Sequence, residues 1–292
     1  MEPHMVKRAL AAAAAVVLAA TLACRSAARD VILATTTSTQ DTGLLDSLVP
    51  RFERTCRCEV KTVAVGTGQA LALGARGEAD VVLVHAPSVE LRYVEQGTFV
   101  GRHLVMTNDF ILVGPSSDPA HVKQAGGIEE AMRRIARSRA PFASRGDSSG
   151  TNIFELKLWN KIGVQPRGDW YLEVGQGMGA TLRVASQKSA YTISDRGTFL
   201  AQRKGLELAI VLEGDGELLN VYHVMVPNPT KFPAVNQAGG AAFADFMVSP
   251  ETQRFIKDFG TAAYGQPLFH PEAGTPEEEL TRRMQGAGAS RH

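Results

Sequence analysis

Cysteine is scarce, with three in 292 residues. Cys56 and Cys58 stand one residue apart and Cys24 lies far upstream, so the pair can offer a metal two thiolates at most. Structural zinc takes four ligands, and the histidines are scattered, which argues against a metal site. The Cys-x-Cys pair suits local structure in a turn, or a short disulfide in an oxidising compartment. Excess charge is equally lacking: 31 Lys and Arg face 30 Asp and Glu, a formal +1. That balance gives no electrostatic grip on nucleic acid or an anionic membrane, so any affinity for an anion has to be local. Long apolar runs are missing too. The one candidate, Ala9 to Ala20, is short for a membrane span and built largely of alanine. Beyond it there is no internal repeat and no low-complexity segment.

What is present begins with a leader. Lys7 and Arg8 precede that run, and Thr-Leu-Ala-Cys follows it. A basic start, a short apolar stretch and small residues describe a secretory signal over residues 1–28. Cys24 is the lipidation candidate of a lipoprotein signal, although Thr21 stands where an aliphatic residue is usual. Cleavage after Ala28 is the competing reading. Either one places the mature chain in the periplasm or on the outer face of the cytoplasmic membrane.

From Asp30 onward, apolar runs of strand length alternate with helical periodicity, the pattern of an α/β protein with mostly parallel sheets flanked by helices. Asp30–Ala34, Glu59–Val65 and Ala79–His85 read as strands. The helix after the first carries Leu44, Leu45, Leu48, Val49 and Phe52 on one face, with Thr39 or Asp41 to cap it. Composition breaks at Gly114-Pro115-Ser116-Ser117, where the chain is expected to cross into a second lobe. The expected organisation is lobe one from 30–112 plus 224–274, lobe two from 113–223, and a flexible tail over 275–292.

Two loops stand out, ATTTSTQD (34–41) and SRGDSSGTN (144–152). Each follows a strand-like run and opens into a helix. Such turns aim helix N-terminal N–H groups at the carboxyl edge of the sheet, where open α/β sheets bind ligands. Thr36, Thr37 and Ser38 lie at the first turn and Thr67 at the Gly66–Gln69 turn. Arg145, Ser149, Gly150 and Thr151 lie at one in the other lobe. A tetrahedral oxyanion presents only acceptors, which hydroxyls, N–H groups and one guanidinium fork satisfy. The bland reading of TTTST is a plain helix cap. His85 is expected to be a satisfied structural histidine. Gly146–Gly150 also fits G-x-S-x-G, which would make Ser148 a hydrolase nucleophile, with Asp195 or Asp215 and His223 or His270 as partners. That reading ignores Arg145 and the whole first loop.

At these residues the chain resembles the tungstate-binding, solute-binding components of bacterial ABC importers. The matching stretches are ATTTSTQDTGLLD, VAVGTGQALALGARGEADVVLVHAPS, SRGDSSGT and YTISDRGTFL, spread over residues 30–270. The resemblance implies a type II periplasmic-binding-protein fold, with two α/β lobes, two crossings and an anion held between. It implies no catalysis and no cofactor. Its expected partners are tungstate or a related oxyanion and the permease and ATPase of an importer, with the chain itself a monomer. Carried over by position, Thr37, Ser38 and Thr67 would bind from lobe one. Arg145, Ser149 and Thr151 would bind from lobe two, as an R-x-x-x-S-G-T arrangement does in related phosphate-binding proteins. Thr192, in YTISD, is a further candidate. Molybdate, phosphate, sulfate and vanadate are the competing ligands. Phosphate brings a proton and asks for an inward carboxylate, whereas tungstate does not, so the direction of Asp147 matters.

Overall fold

The structure, a computed structural model, describes residues 29–286. The proposed signal segment, with Cys24 and the cleavage position after Ala28, lies outside the described residues.

The chain builds β1 (Val31–Thr36), α1 (Thr37–Asp41), α2 (Leu44–Cys56), β2 (Val60–Val65), α3 (Thr67–Ala75), β3 (Val81–Val84) and α4 (Pro87–Glu95) in alternation. Strands β2, β1 and β3 lie parallel, with Leu33 opposite Thr62 on one side and Val81 on the other. The side chains of β1 and β3 are buried on both faces, as the apolar run from Asp30 to Ala34 anticipates, while β2 forms the edge. One face packs on Leu44, Leu48 and Phe52 of α2, the other on Ala70 and Leu71 of α3. The single helix expected after β1 is two, because Gly43 takes a left-handed conformation (φ 75°) between them.

β4 (Phe99–Gly114) is much longer than its apolar core suggests, and it forms the hinge together with β9 (Leu219–Pro227). From Phe99 to Asp109 it pairs antiparallel with β9, which in turn pairs with β3. From Phe110 onward its partners are β7 (Thr192–Asp195) and β8 (Ala209–Leu212) in the second lobe. The lobes therefore change within one continuous strand, between 109 and 110. The Gly-Pro-Ser-Ser break marks where that strand ends rather than where the lobe begins. β9 belongs to the first sheet from Leu219 on.

The second lobe carries α5 (Ile128–Ser138), β5 (Phe142–Ser144), α6 (Gly150–Lys161), β6 (Tyr171–Glu173), α7 (Met178–Gln187), β7, α8 (Arg196–Gln202) and β8. β5 pairs in parallel with β6, and Phe142 bridges in parallel to Tyr191 beside β7. Its core contains Phe142, Trp159 and Tyr191 on one side and Met178, Leu182 and Phe199 on the other. After β9, α9 (Gln237–Val248), α10 (Pro250–Asp258), α11 (Thr261–Tyr264), β10 (His270–Pro271) and α12 (Glu277–Gly286) return to the first lobe. Ser249 caps α10 with Pro250 at its first position.

The tail from 275 requires correction. Residues 277–286 form a helix that packs, with Leu280 buried beside Leu104 and Val221. Glu277 pairs with Arg102, and Arg283 pairs with the buried Glu272 through two bonds of 2.9 and 2.7 Å. One apolar residue and a few well-placed charges hold it, too little for a hydrophobic pattern to announce. Cys56 and Cys58 form a disulfide at the end of α2. Among the described residues no helix is long and apolar enough to cross a membrane.

Candidate functional site

The first jaw is the carboxyl edge of β1 and β3. Thr36 ends β1 in an extended conformation and its hydroxyl accepts from the Thr39 N–H at 3.2 Å, so it is the N-cap of α1. The same oxygen lies 2.6 Å from Thr39 Oγ1 and 3.2 Å from His85 Nε2. Thr37 and Ser38 therefore occupy the first helical turn, where N–H groups have no intrahelical partner. Thr67 starts α3 in the same way, after an extended Gly66. Each helix end adds about half a positive charge.

The second jaw is the loop from β5 into α6. Ser144 ends β5 and donates to the buried Glu155 at 2.6 Å, while Asn152 Nδ2 donates back to Ser144 Oγ at 3.2 Å. Glu155 also accepts from Trp159 Nε1 at 3.0 Å and Tyr171 Oη at 2.8 Å; burial pushes its carboxyl up in pKa and these donors oppose the shift. This network fixes the loop from beneath. Asn152 Oδ1 accepts from Ser148 N at 3.1 Å, and Ser149 caps α6 by accepting from Asn152 N at 3.3 Å.

The jaws touch. Gly150 N donates to Thr67 Oγ1 at 2.9 Å, and Arg145 Nη2 lies 3.3 Å from Thr37 Oγ1. Thr198 Oγ1 of α8 reaches Ser38 O at 3.5 Å, and a Cβ on Gly177, at the head of α7, would sit 3.8 Å from Thr37 Oγ1. Residues from the heads of five helices thus meet where the jaws touch. Arg145 is 2% exposed, and its Nη1 is buried without a hydrogen-bond partner; so is Thr151 Oγ1. Buried donors are rarely left unpaired in folded proteins. A guanidinium edge and a hydroxyl held this way, among helix N-termini, are the donor set an oxyanion takes.

Asp147 is a partner of Arg145. Its carboxylate accepts from Arg145 Nε and Nη2 and from Ser149 N. These three donors engage both of its oxygens, and it keeps the guanidinium plane in place. Asp195, at the end of β7, is wholly buried and caps α8 by accepting from Thr198 N at 2.8 Å. Burial raises its pKa to about 6 against the pull of Thr198 and Arg145.

Thr36, Thr37, Ser38, Thr67, Arg145, Ser149, Gly150 and Thr151 are all brought to the interface of the jaws. Thr36 and Ser149 are there as caps. Thr192 is not, and its candidacy is corrected. It opens β7 opposite Val113, three residues and roughly 10 Å from the cleft end of that strand, and its hydroxyl reaches only Ile193 O. Sequence reasoning weighed Asp195 only as an acid for the hydrolase alternative and missed its place as the cap of α8, although an Asp at a strand end before a helix is a capping signal. Ser148 is exposed with positive φ (56°), and among the described residues no histidine is hydrogen-bonded to it. His223 is buried against Glu90, and Asp215 caps the 3-10 turn Gly216–Leu218 and the N-terminus of α5.

Two α/β lobes joined by two hinge strands, with helix N-termini and a buried arginine between them, define a two-lobed anion-binding protein. The family described as "PBP superfamily domain" matches residues 23–251. A Peptoclostridium acidaminophilum protein named tungstate-binding protein TupA is 47% identical over 245 residues, 83% of this chain and 86% of that one. Among solved structures, the tungstate ABC transporter from Geobacter sulfurreducens matches at TM-score 0.72 and 45% identity, over 79% of this chain and 98% of that one. The tungstate-binding protein TupA from Desulfovibrio alaskensis G20 matches at TM-score 0.71 and 42% identity, over 84% and 100%. The chain belongs to the PBP superfamily and, within it, to the TupA family. It is a binding protein, not an enzyme, which removes the Ser148 hydrolase alternative.

Proposed function

We propose that the chain is an extracytoplasmic solute-binding protein that captures tungstate between its lobes and hands it to the permease and ATPase of an ABC importer. The observation that carries this reading is Arg145, buried between the jaws with Nη1 unpaired and with Thr37 and Asp147 fixing its other edge. The names of relatives at 47% and 39% identity support tungstate as the ligand.

Contact between the jaws couples binding to shape. A permease can then read the closed outline rather than the ion. The leader read from residues 1–28, with Cys24 as its lipidation candidate, suits export, and the chain acts as a monomer in this scheme. Titration calorimetry with tungstate, molybdate, sulfate, phosphate and vanadate tests the function. Sub-micromolar binding of tungstate, better than about −8 kcal/mol, is expected, with molybdate near it and the other three weak. Equal affinity across the panel, or no heat with tungstate, would overturn the reading.

A further inference from the structure

His85 lies behind the first jaw and has no role in the account so far. It follows β3 and is 4% exposed. Nε2 sits 3.2 Å from both Thr36 Oγ1 and Ser38 Oγ. Nδ1 sits 3.0 Å from the side-chain amide of Asn220, which is 2.8 Å from that of Asn108 and 3.1 Å from Tyr222 Oη. Asn108 and Asn220 face each other across β4 and β9 at the hinge. The ring of His85 lies over Tyr222 with centroids 4.7 Å apart. Burial pushes its pKa down to about 4, so at neutral pH the ring carries one proton.

Which nitrogen holds that proton decides which way the hydroxyls of the first jaw point. If Nδ1 donates to Asn220 Oδ1, Nε2 is an acceptor and draws a hydroxyl proton of Thr36 or Ser38 inward. That polarity leaves Asn108 Nδ2 buried with no partner. The oxygen and nitrogen of an amide exchange places with little change of shape, and the hydrogen-bond pattern assigns them. With both amides turned, Asn108 Nδ2 and Tyr222 Oη donate to Asn220 Oδ1. Asn220 Nδ2 donates to His85 Nδ1, and Nε2–H donates to Ser38 or Thr36. The unpaired atom is then a carbonyl oxygen, which burial penalises less than an unpaired N–H. The hydroxyl protons are freed to point away from the ring.

Building on the oxyanion reading above, we propose that Asn108 and Asn220 hold His85 in its Nε2–H form, making it a positioning residue that turns the Ser38 hydroxyl into a donor for a fully deprotonated anion. The relay acts through specificity. The hydroxyl group of hydrogen phosphate, placed there, would turn its own proton toward the proton of that donor. Tungstate, which has only acceptors, meets a matched site.

The test reads the tautomer directly. Two-bond 1H–15N correlation spectra of the full chain labelled with 15N-histidine, with the His85 signals identified by their loss in His85→Gln, report which ring nitrogen is protonated. Protonation at Nε2, without any ligand and with tungstate, is expected; protonation at Nδ1 overturns the proposal even if tungstate binds. A second arm uses Asn220→Asp, whose side chain only accepts and so draws the proton to Nδ1. This variant should lower the ratio of tungstate to hydrogen phosphate affinity at least tenfold and move the proton in the spectrum. An unchanged ratio despite a moved proton overturns the specificity claim. Failure of the wild-type chain to bind tungstate would instead strike the oxyanion reading and leave the tautomer measurement standing.

Discussion

Arg145 owes its position to residues that never meet a ligand. Asp147 clamps two of its nitrogens from the same loop, and Thr37 reaches Nη2 from the opposite lobe. Truncating it removes the buried guanidinium from between the jaws and leaves Asp147 without its cation. Arg145→Ala should weaken tungstate binding by roughly 2–5 kcal/mol, at least about 30-fold in affinity. Calorimetry checks this, and an unchanged Kd would remove Arg145 from the site. Asp195 carries a pH signature. Its pKa in the fold is raised from an ordinary 3.8 to about 6, so the stability tied to its neutral form is present below 3.8 and lost as pH rises through 6. His85, lowered to about 4, has the opposite sign and loses stability as pH falls from 6.5 toward 4. Asp195→Asn keeps an oxygen to cap α8 and abolishes the pH dependence of Asp195 while leaving that of His85. In denaturant unfolding the wild type should lose ground relative to Asp195→Asn between pH 4 and pH 6. A pH-independent difference would contradict the assignment.

At the scale of elements, the jaws work because the heads of α3 and α6 come almost into contact, and glycine makes that approach possible. A Cβ on Gly150 would stand 2.8 Å from His85 Cε1 and 3.0 Å from Thr67 Oγ1. Gly150→Ala should therefore hold the lobes apart and lower tungstate affinity at least tenfold, with little effect on thermal stability without ligand. Calorimetry and a melting curve separate the two; a wild-type affinity would show that this contact does not limit closure. Much of this level was legible in the sequence. Strand–turn–helix periodicity placed β1, β2 and β3 and the SRGDSSGT loop, because hydroxyl-rich caps and glycine at strand ends are local signals. The relations at the hinge were not legible. Asn108, Asn220 and His85 meet only through the pairing of β4 with β9, and Thr192 looked like a site residue because its motif ends in Asp195, the residue that does reach the cleft edge. The length of β4 was hidden for a similar reason: its first half, FVGRHLV, has an exposed, polar-interrupted pattern before the continuous apolar run begins.

On the scale of the molecule, the C-terminal helix is part of the fold of lobe one. Leu280 fills a gap beside β4 and β9, Arg283 neutralises the buried Glu272, and Glu277 meets Arg102, which also serves Glu90. Removing residues 275–292 should lower unfolding stability by about 1.5–3 kcal/mol from the loss of one buried leucine alone. Denaturant titration would show it as a lower midpoint, and an unchanged midpoint would mean the helix contributes nothing. The two lobes, meanwhile, are joined by the crossing strands and the contacts between the jaws, with Leu200 of α8 packed on the core of lobe one. The most direct measurement of the central claim is a crystal structure grown with tungstate, read by anomalous scattering at the tungsten edge. The account predicts one strong peak between the heads of α1 and α6, with Arg145 Nη1 and Thr151 Oγ1 both bonded to the anion. A peak outside the cleft, or a cleft anion that leaves Arg145 Nη1 untouched, would contradict it.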